Sequence, residues 1–159
     1  LMSIHESFMR RALELAAHAK ARGEVPIGAV VVQGGRIIGE GCNWRETWRD
    51  PTAHAELIAL QAASRTLNGW RLEECDLYVT LEPCPMCAGA ILLSRIRHVY
   101  YGAADPKAGA LASRVALLDV DGWNHYPEIT AGILADECGM ILKDFFREIR
   151  TARRTRRDV

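Results

Sequence analysis

Apolar positions recur every three to four residues at the start of the chain and then give way to unbroken β-branched runs. Ile4, Phe8, Ala12, Leu15, Ala16 and Ala19 fall on one helical face, Ser3 and Glu6 stand ahead of them at capping-box spacing, and Gly23 ends the pattern. This predicts an amphipathic helix packed on a sheet, with His5 and His18 on its outer surface. Beyond Pro26, the run Ile27 to Val32, the Gly34-Gly35 pair and Arg36-Ile37-Ile38 read as a hairpin. Gly39 and Gly41 interrupt its second strand, which marks a bulge or a close approach of another group to the backbone.

The segment Trp44 to Pro51 is too rich in charge and tryptophan for a core strand and reads as a surface loop. Tryptophans beside arginines also offer stacking faces to nucleobases. Thr52 is placed to cap a helix from Ala53 to about Thr66, with Leu57, Ile58, Leu60 and Ala63 inward and Asn68-Gly69 as its stop. Asp76 to Leu81 is a strand, Pro83 and Pro85 open a helix over Met86 to Ile96, and His98 to Gly102 is a second strand parallel to the first. Asp105 to Ala110 is a turn-rich loop where open α/β sheets usually meet ligands, and Leu111 to Val120 is ambiguous between strand and helix. From about Glu128 to Arg153, the positions Ile133, Leu134, Ile141, Phe145 and Ile149 predict one long helix, interrupted in composition by Gly132 and Gly139.

No repeat or linker divides the pattern, and 159 residues suit one domain over 1–159 with a helical tail from about Arg147. The formal net charge is +0, yet Arg147, Arg150, Arg153, Arg154, Arg156 and Arg157 face only Glu148 in that tail. Two readings stand side by side: a phosphate-binding arm, or a solvated helix end where positive charge complements the dipole. The 5 cysteines are odd in number, no secretory signal precedes them, and no stretch has transmembrane length. A reducing cytoplasm follows, in which cysteines at ligand spacing indicate metal before disulfides.

Two short stretches carry such spacing: His54-Ala55-Glu56, and about thirty residues later Pro83-Cys84-Pro85-Met86-Cys87. Catalytic zinc is held by three protein ligands, whereas structural zinc closes all four positions. His54, Cys84 and Cys87 make three, and the two thiols sit at a helix start where the thiolate is favoured. Residues two apart on a helix point to different sides, which sets Glu56 apart from the ligands as a base. A closed site would need His98, His125, Cys42, Cys75 or Cys138 as a fourth ligand, and none stands at motif spacing. Cys42, Cys75 and Cys138 read instead as small core residues. H-x-E followed by P-C-x-x-C is the signature of zinc deaminases.

The surrounding stretches narrow this further. They are Glu24-Val25-Pro26-Ile27-Gly28-Ala29-Val30, Asp50 to Glu56, Thr80 to Ala90, Gly132 to Cys138 and Asp144-Phe145-Phe146. Together they resemble the bacterial tRNA-specific adenosine deaminases, members of the cytidine deaminase-like superfamily. The resemblance implies a three-layer α/β/α fold around a mixed five-stranded sheet, a homodimer, one Zn2+ per subunit, and a tRNA anticodon stem-loop whose wobble adenosine becomes inosine. It makes Glu56 the proton carrier, Asn43 a purine contact and Asp105 a neighbour of the ribose. Backbone donors near Ala55, Pro83 and Cys84 surround the reacting group, Lys107 and Arg150 are candidates for phosphate, and Phe145 and Phe146 for the walls of the base pockets. Asn43 also reads as a loop-capping residue, and Glu82 as a supporting residue of unassigned role. The loop Trp44 to Arg49 and the segment Val115 to Tyr126 depart from the family pattern. Two rivals are a deaminase of a free cytosine or guanine base or nucleotide, which needs no basic tail, and a non-catalytic nucleic-acid-binding zinc domain, which leaves Glu56 without a purpose.

Overall fold

Alternation along the strands sorts side chains into two layers in the computed structural model, which describes residues 3–158. In β1 (Gly28–Gln33) Ala29 and Val31 join one core cluster while Val30 and Val32 join another. The same division separates Leu77 and Val79 from Tyr78 in β3 (Cys75–Leu81), and Val99 and Tyr101 from Tyr100 in β4 (His98–Ala103). With β2 (Arg36–Cys42) and β5 (Glu128–Ala131) these form a five-stranded sheet in the order β2-β1-β3-β4-β5. β1 runs antiparallel to both β2 and β3, whereas β3, β4 and β5 are parallel, so the sheet is mixed.

Helices cover both faces. α1 (Ile4–Ala21) packs Met9 and Ala12 on Val30, Tyr78 and Tyr100, beside Cys138 of α5 (Ala135–Arg157). On the other face α3 (Ala55–Leu67) contributes Ala55, Ala59, Leu60 and Ala63, and α4 (Pro85–Ser94) contributes Ala88 and Ile91. Ser3 caps α1 by accepting the Glu6 amide at 3.1 Å, as its spacing predicts. No helix among the described residues is long and apolar enough to cross a membrane.

Gly39 and Gly41 satisfy both expectations placed on them. The register of β1 against β2 shifts between Val31 and Val32, and the backbone of α3 lies directly on both glycines. A Cβ at Gly41 would collide with the Ala55 carbonyl and reach 2.8 Å from the Ala59 nitrogen. Gly41→Ala should therefore cost about 1–3 kcal/mol by overpacking. Because the displaced backbone is the first turns of α3, activity should fall with the melting temperature, and unchanged values in both would show that α3 has room to move.

Several expectations need correction. The long helix placed from Glu128 is a strand followed by a shorter helix, separated by Gly132 (φ 86) and Leu134 (φ 53), both left-handed and incompatible with continuous helix. Leu111 to Val120 is mostly turn, with one 3-10 turn at Leu117–Asp119. Trp44 to Pro51 contains a short helix, α2 (Arg45–Trp48). His18 is exposed, but His5 lies half-buried, bonded through Nδ1 to the Tyr78 hydroxyl at 2.7 Å and stacked on Tyr100 at 4.4 Å.

Candidate active site

Two helix starts converge beyond the carboxyl ends of β3 and β4. Thr52 does not cap α3; its amide and hydroxyl both bond the Asp50 carboxylate, at 2.8 and 2.7 Å. The cap position belongs to His54, whose extended backbone (φ -86, ψ 148) places it outside the helix that carries Glu56. Cys84 occupies the same position on α4 (φ -74, ψ 173), with Pro85 opening the helix and Cys87 in its first turn. Neither His54 nor Cys84 caps its helix through its side chain. Both side chains meet in one cluster instead.

His54 Nδ1 lies 3.6 Å from Cys84 Sγ and 3.6 Å from Cys87 Sγ. Ligands held at about 2.0 Å through nitrogen and about 2.3 Å through sulfur in a tetrahedron stand about 3.6 Å apart, so the three donors fit a zinc ion. They are the one group of three such residues within ligand range among the described residues, with all atoms inside 4.8 Å. Hydrogen bonding from Cys87, and then from His54, holds the Cys84 thiol down to about 4, whereas Cys87 is pushed up by the same partner and by burial. His54 is raised by its bond to Cys84. Burial, followed by the nearby Cys84 charge, lifts the Glu56 carboxyl to about 7. Its side chain is 4% exposed.

A cavity of about 540 Å³ opens over this cluster. His54, Ala55, Glu56 and Cys84 line it, with Asn43, Asp105, Lys107 and Phe146 across from them. Asn43 is 5% exposed; its Oδ1 accepts the Arg45 amide at 3.1 Å and its Nδ2 donates to the Val25 carbonyl at 3.4 Å. The loop-capping reading is thus realised on a residue that also lines the cavity. The Asp105 carboxylate likewise accepts the amides of Lys107 and Ala108, at 3.1 and 3.2 Å.

Three of the named residues stand elsewhere. Phe145 is buried in the packing of α5, and its neighbour Phe146 meets the cavity. Arg150 is exposed on α5 and does not line the cavity, although it follows Phe146 by four residues on the same helix face. Pro83 is buried, has no amide hydrogen, and offers only its carbonyl, which accepts the Ala110 amide at 2.8 Å. Cys42, Cys75 and Cys138 are buried thiols, as their core reading requires. His98 stacks on Tyr100 at 4.0 Å and His125 bonds the Ile96 carbonyl at 2.6 Å, both outside the cluster.

Residues 3–150 match the MafB19-like deaminase family. A tRNA-specific adenosine deaminase of Bacillus subtilis is 47% identical over 98% of this chain and 97% of its own length. The chain belongs to the tRNA-specific adenosine deaminase family. A second such relative, from Haemophilus influenzae, is 52% identical over 91% of this chain and 84% of its own length. A solved structure from work on A-to-I editing by tRNA:A34 deaminases at the wobble position of transfer RNA superposes with a TM-score of 0.83 at 46% identity. It covers 86% of this chain and 99% of that one.

Two carboxylates that sequence reasoning left without a role hold the cavity walls. Glu82 is 2% exposed and accepts the amides of Asp105, Leu111, Ala112 and Ser113 at 3.0 to 3.2 Å, together with the Ser113 hydroxyl. Gly109 lies so close that a Cβ there would overlap the carboxylate. Burial alone would raise this group, but the bonds from Ser113, Ala112 and Asp105 hold it below the ordinary carboxylate range. Glu24, 1% exposed, accepts the Glu46 and Thr47 amides at 3.0 and 2.7 Å and the Thr47 hydroxyl at 2.6 Å. An acid standing within a motif stretch was the available signal for both. Nothing local indicates which distant amides it would meet.

Proposed function

We propose that this chain, as a single deaminase domain working as a homodimer in the cytoplasm, converts the wobble adenosine of a tRNA anticodon to inosine. The observation that carries the reading is the placement of Glu56: a buried carboxyl beside the His54–Cys84–Cys87 cluster, inside a cavity of nucleoside size. His54, Cys84 and Cys87 would hold zinc, which would supply the Lewis acidity that lets water lose a proton near neutral pH. A carboxyl that burial raises above the ordinary carboxylate range is suited to both halves of a proton transfer. The Glu56 carboxylate takes a proton from the attacking water and passes it to the purine ring nitrogen as oxygen bonds C6. The proton of the new C6 hydroxyl then moves by way of Glu56 to the 6-amino group as the C6–N bond breaks and the C6 carbonyl forms, so adenosine and water leave as inosine and ammonia.

The remaining lining orients the base. Asn43 keeps one amide hydrogen and one lone pair beyond its two protein bonds, a donor and an acceptor for the purine edge. Ala55 lines the cavity from the first turn of α3, where backbone amides have no partner within the helix. Lys107 at the rim and Arg150 one turn beyond Phe146 are the cations for phosphate, continued outward by the exposed arginines of α5.

Zinc content and inosine formation on an anticodon stem-loop, beside free adenosine, cytidine and guanine, test the proposal together. One zinc per chain and turnover of the RNA alone are expected, with binding that weakens steeply as salt rises. Turnover of free guanine alone would make the chain a base deaminase. Zinc without any turnover would make it a binding domain.

A further inference from the structure

The turn Trp44 to Trp48 is anchored more firmly than its own packing allows. α2 is 4 residues long and has no buried residue, so burial cannot hold it. Glu24 does so from inside, through the Glu46 and Thr47 amides and the Thr47 hydroxyl. The Trp44 amide donates to the Ala53 carbonyl at 3.0 Å, and Asn43 Oδ1 accepts the Arg45 amide at 3.1 Å. These bonds tie the turn to Asn43 on the cavity wall and to Ala53 next to His54, and Arg45 itself lines that cavity.

This scaffold presents a pile of flat groups. The Trp44 and Trp48 rings stack 5.1 Å apart and 10° from parallel, and the Arg22 guanidinium lies 4.0 Å over Trp44. Trp48 is the open end, 53% exposed. Arg45 and Arg49 flank it on the same turn. The acidic neighbours are Glu46, exposed, and Asp50, whose carboxylate is engaged by Thr52. Aromatic faces interleaved with arginine are what single-stranded nucleic acid binds, each base stacking on a π-face while cations meet the phosphates.

A base drawn into a deaminase cavity leaves the base beside it without a stacking partner. We propose that Trp48 supplies the replacement, as the platform on which a nucleobase adjoining the target adenosine stacks. The proposal rests on the cavity being the adenosine site, and it adds a contact outside that cavity.

Steady-state deamination of an anticodon stem-loop tests it. Trp48→Ala should raise KM about tenfold, within the range that one base–aromatic stack contributes, with kcat changed far less, and Trp48→Tyr should recover most of the loss. An abasic nucleotide placed immediately 5′ or 3′ of the adenosine should cost the wild-type protein a similar factor on one side only. On that substrate Trp48→Ala should cost nothing further. An unchanged KM, losses that multiply at both flanks, or a KM effect that accompanies a changed subunit state and resists Trp48→Tyr would each overturn the proposal. These outcomes leave the wild-type activity intact and so count against the platform alone. A wild-type protein that makes no inosine on the unmodified stem-loop would remove both readings.

Discussion

Glu56→Gln should retain zinc and lose inosine formation by at least about 10²- to 10⁴-fold, the range attributed to a positioned acid–base group. The glutamine keeps the size of the side chain and the seat of α3, so packing is preserved, but an amide neither accepts a proton from water nor returns one to the purine. Zinc retention follows from the geometry, since the ligand cluster consists of His54, Cys84 and Cys87 without Glu56. Single-turnover inosine formation and zinc per chain on the same preparation provide the check. If the metal leaves together with activity, Glu56 belongs to the ligand set and the proton must travel by another route.

The second large effect is expected at Glu82. Glu82→Gln replaces an acceptor of five hydrogen bonds by a group with one acceptor oxygen and two donors aimed at donors. Buried amides left unpaired cost about 1–3 kcal/mol each, less whatever the loop regains by shifting, so a net loss of about 3 kcal/mol is expected. At about 2–4 °C per kcal/mol for a chain of this size, the melting temperature should fall by about 10 °C. The sign of its pH dependence follows from the lowered pKa. The carboxylate contributes stability above its unfolded pKa of 4.5, and that contribution fades as pH falls through the lower folded value. Wild type and variant should therefore differ most at neutral pH and converge in acid, as thermal unfolding across pH will show. KM for RNA should rise too, because the loop that loosens carries Asp105 and Lys107 on the cavity wall. A variant as stable as wild type at neutral pH would mean that the loop is held by other contacts.

The elements that the chain could announce were those whose periodicity extends over several turns or a whole strand. α1, the β1–β2 hairpin, β3 and β4 follow their apolar spacing closely. β5 did not, because its 4 residues merge with the helical spacing that follows, and of the two left-handed residues at the break, Gly132 and Leu134, the second is of a type that gives no sign of it. The convergence of His54, Cys84 and Cys87 was legible for a chemical reason: few side chains can ligate a metal, and these stand in short motifs. Distance along the chain hid the rest. Whether Phe145 or Phe146 faces the cavity depends on the roll of α5 about its axis, and Glu24 meets amides more than twenty residues away. His54 looked helical because Thr52 is a good cap residue, yet Asp50 engages the Thr52 side chain first.

The bonds that Glu24 and Glu82 make have one more consequence. Six of the eight end on main-chain amides, which every residue except proline carries. Such anchors are blind to the side chains they secure. Apart from Thr47, whose hydroxyl Glu24 also holds, the exposed positions of the turn Trp44 to Arg49 can therefore change while its path stays fixed, and the His54–Cys84–Cys87 cluster need not register the change. What that turn presents to solvent is thus exchangeable in a way that the donors lining the cavity are not.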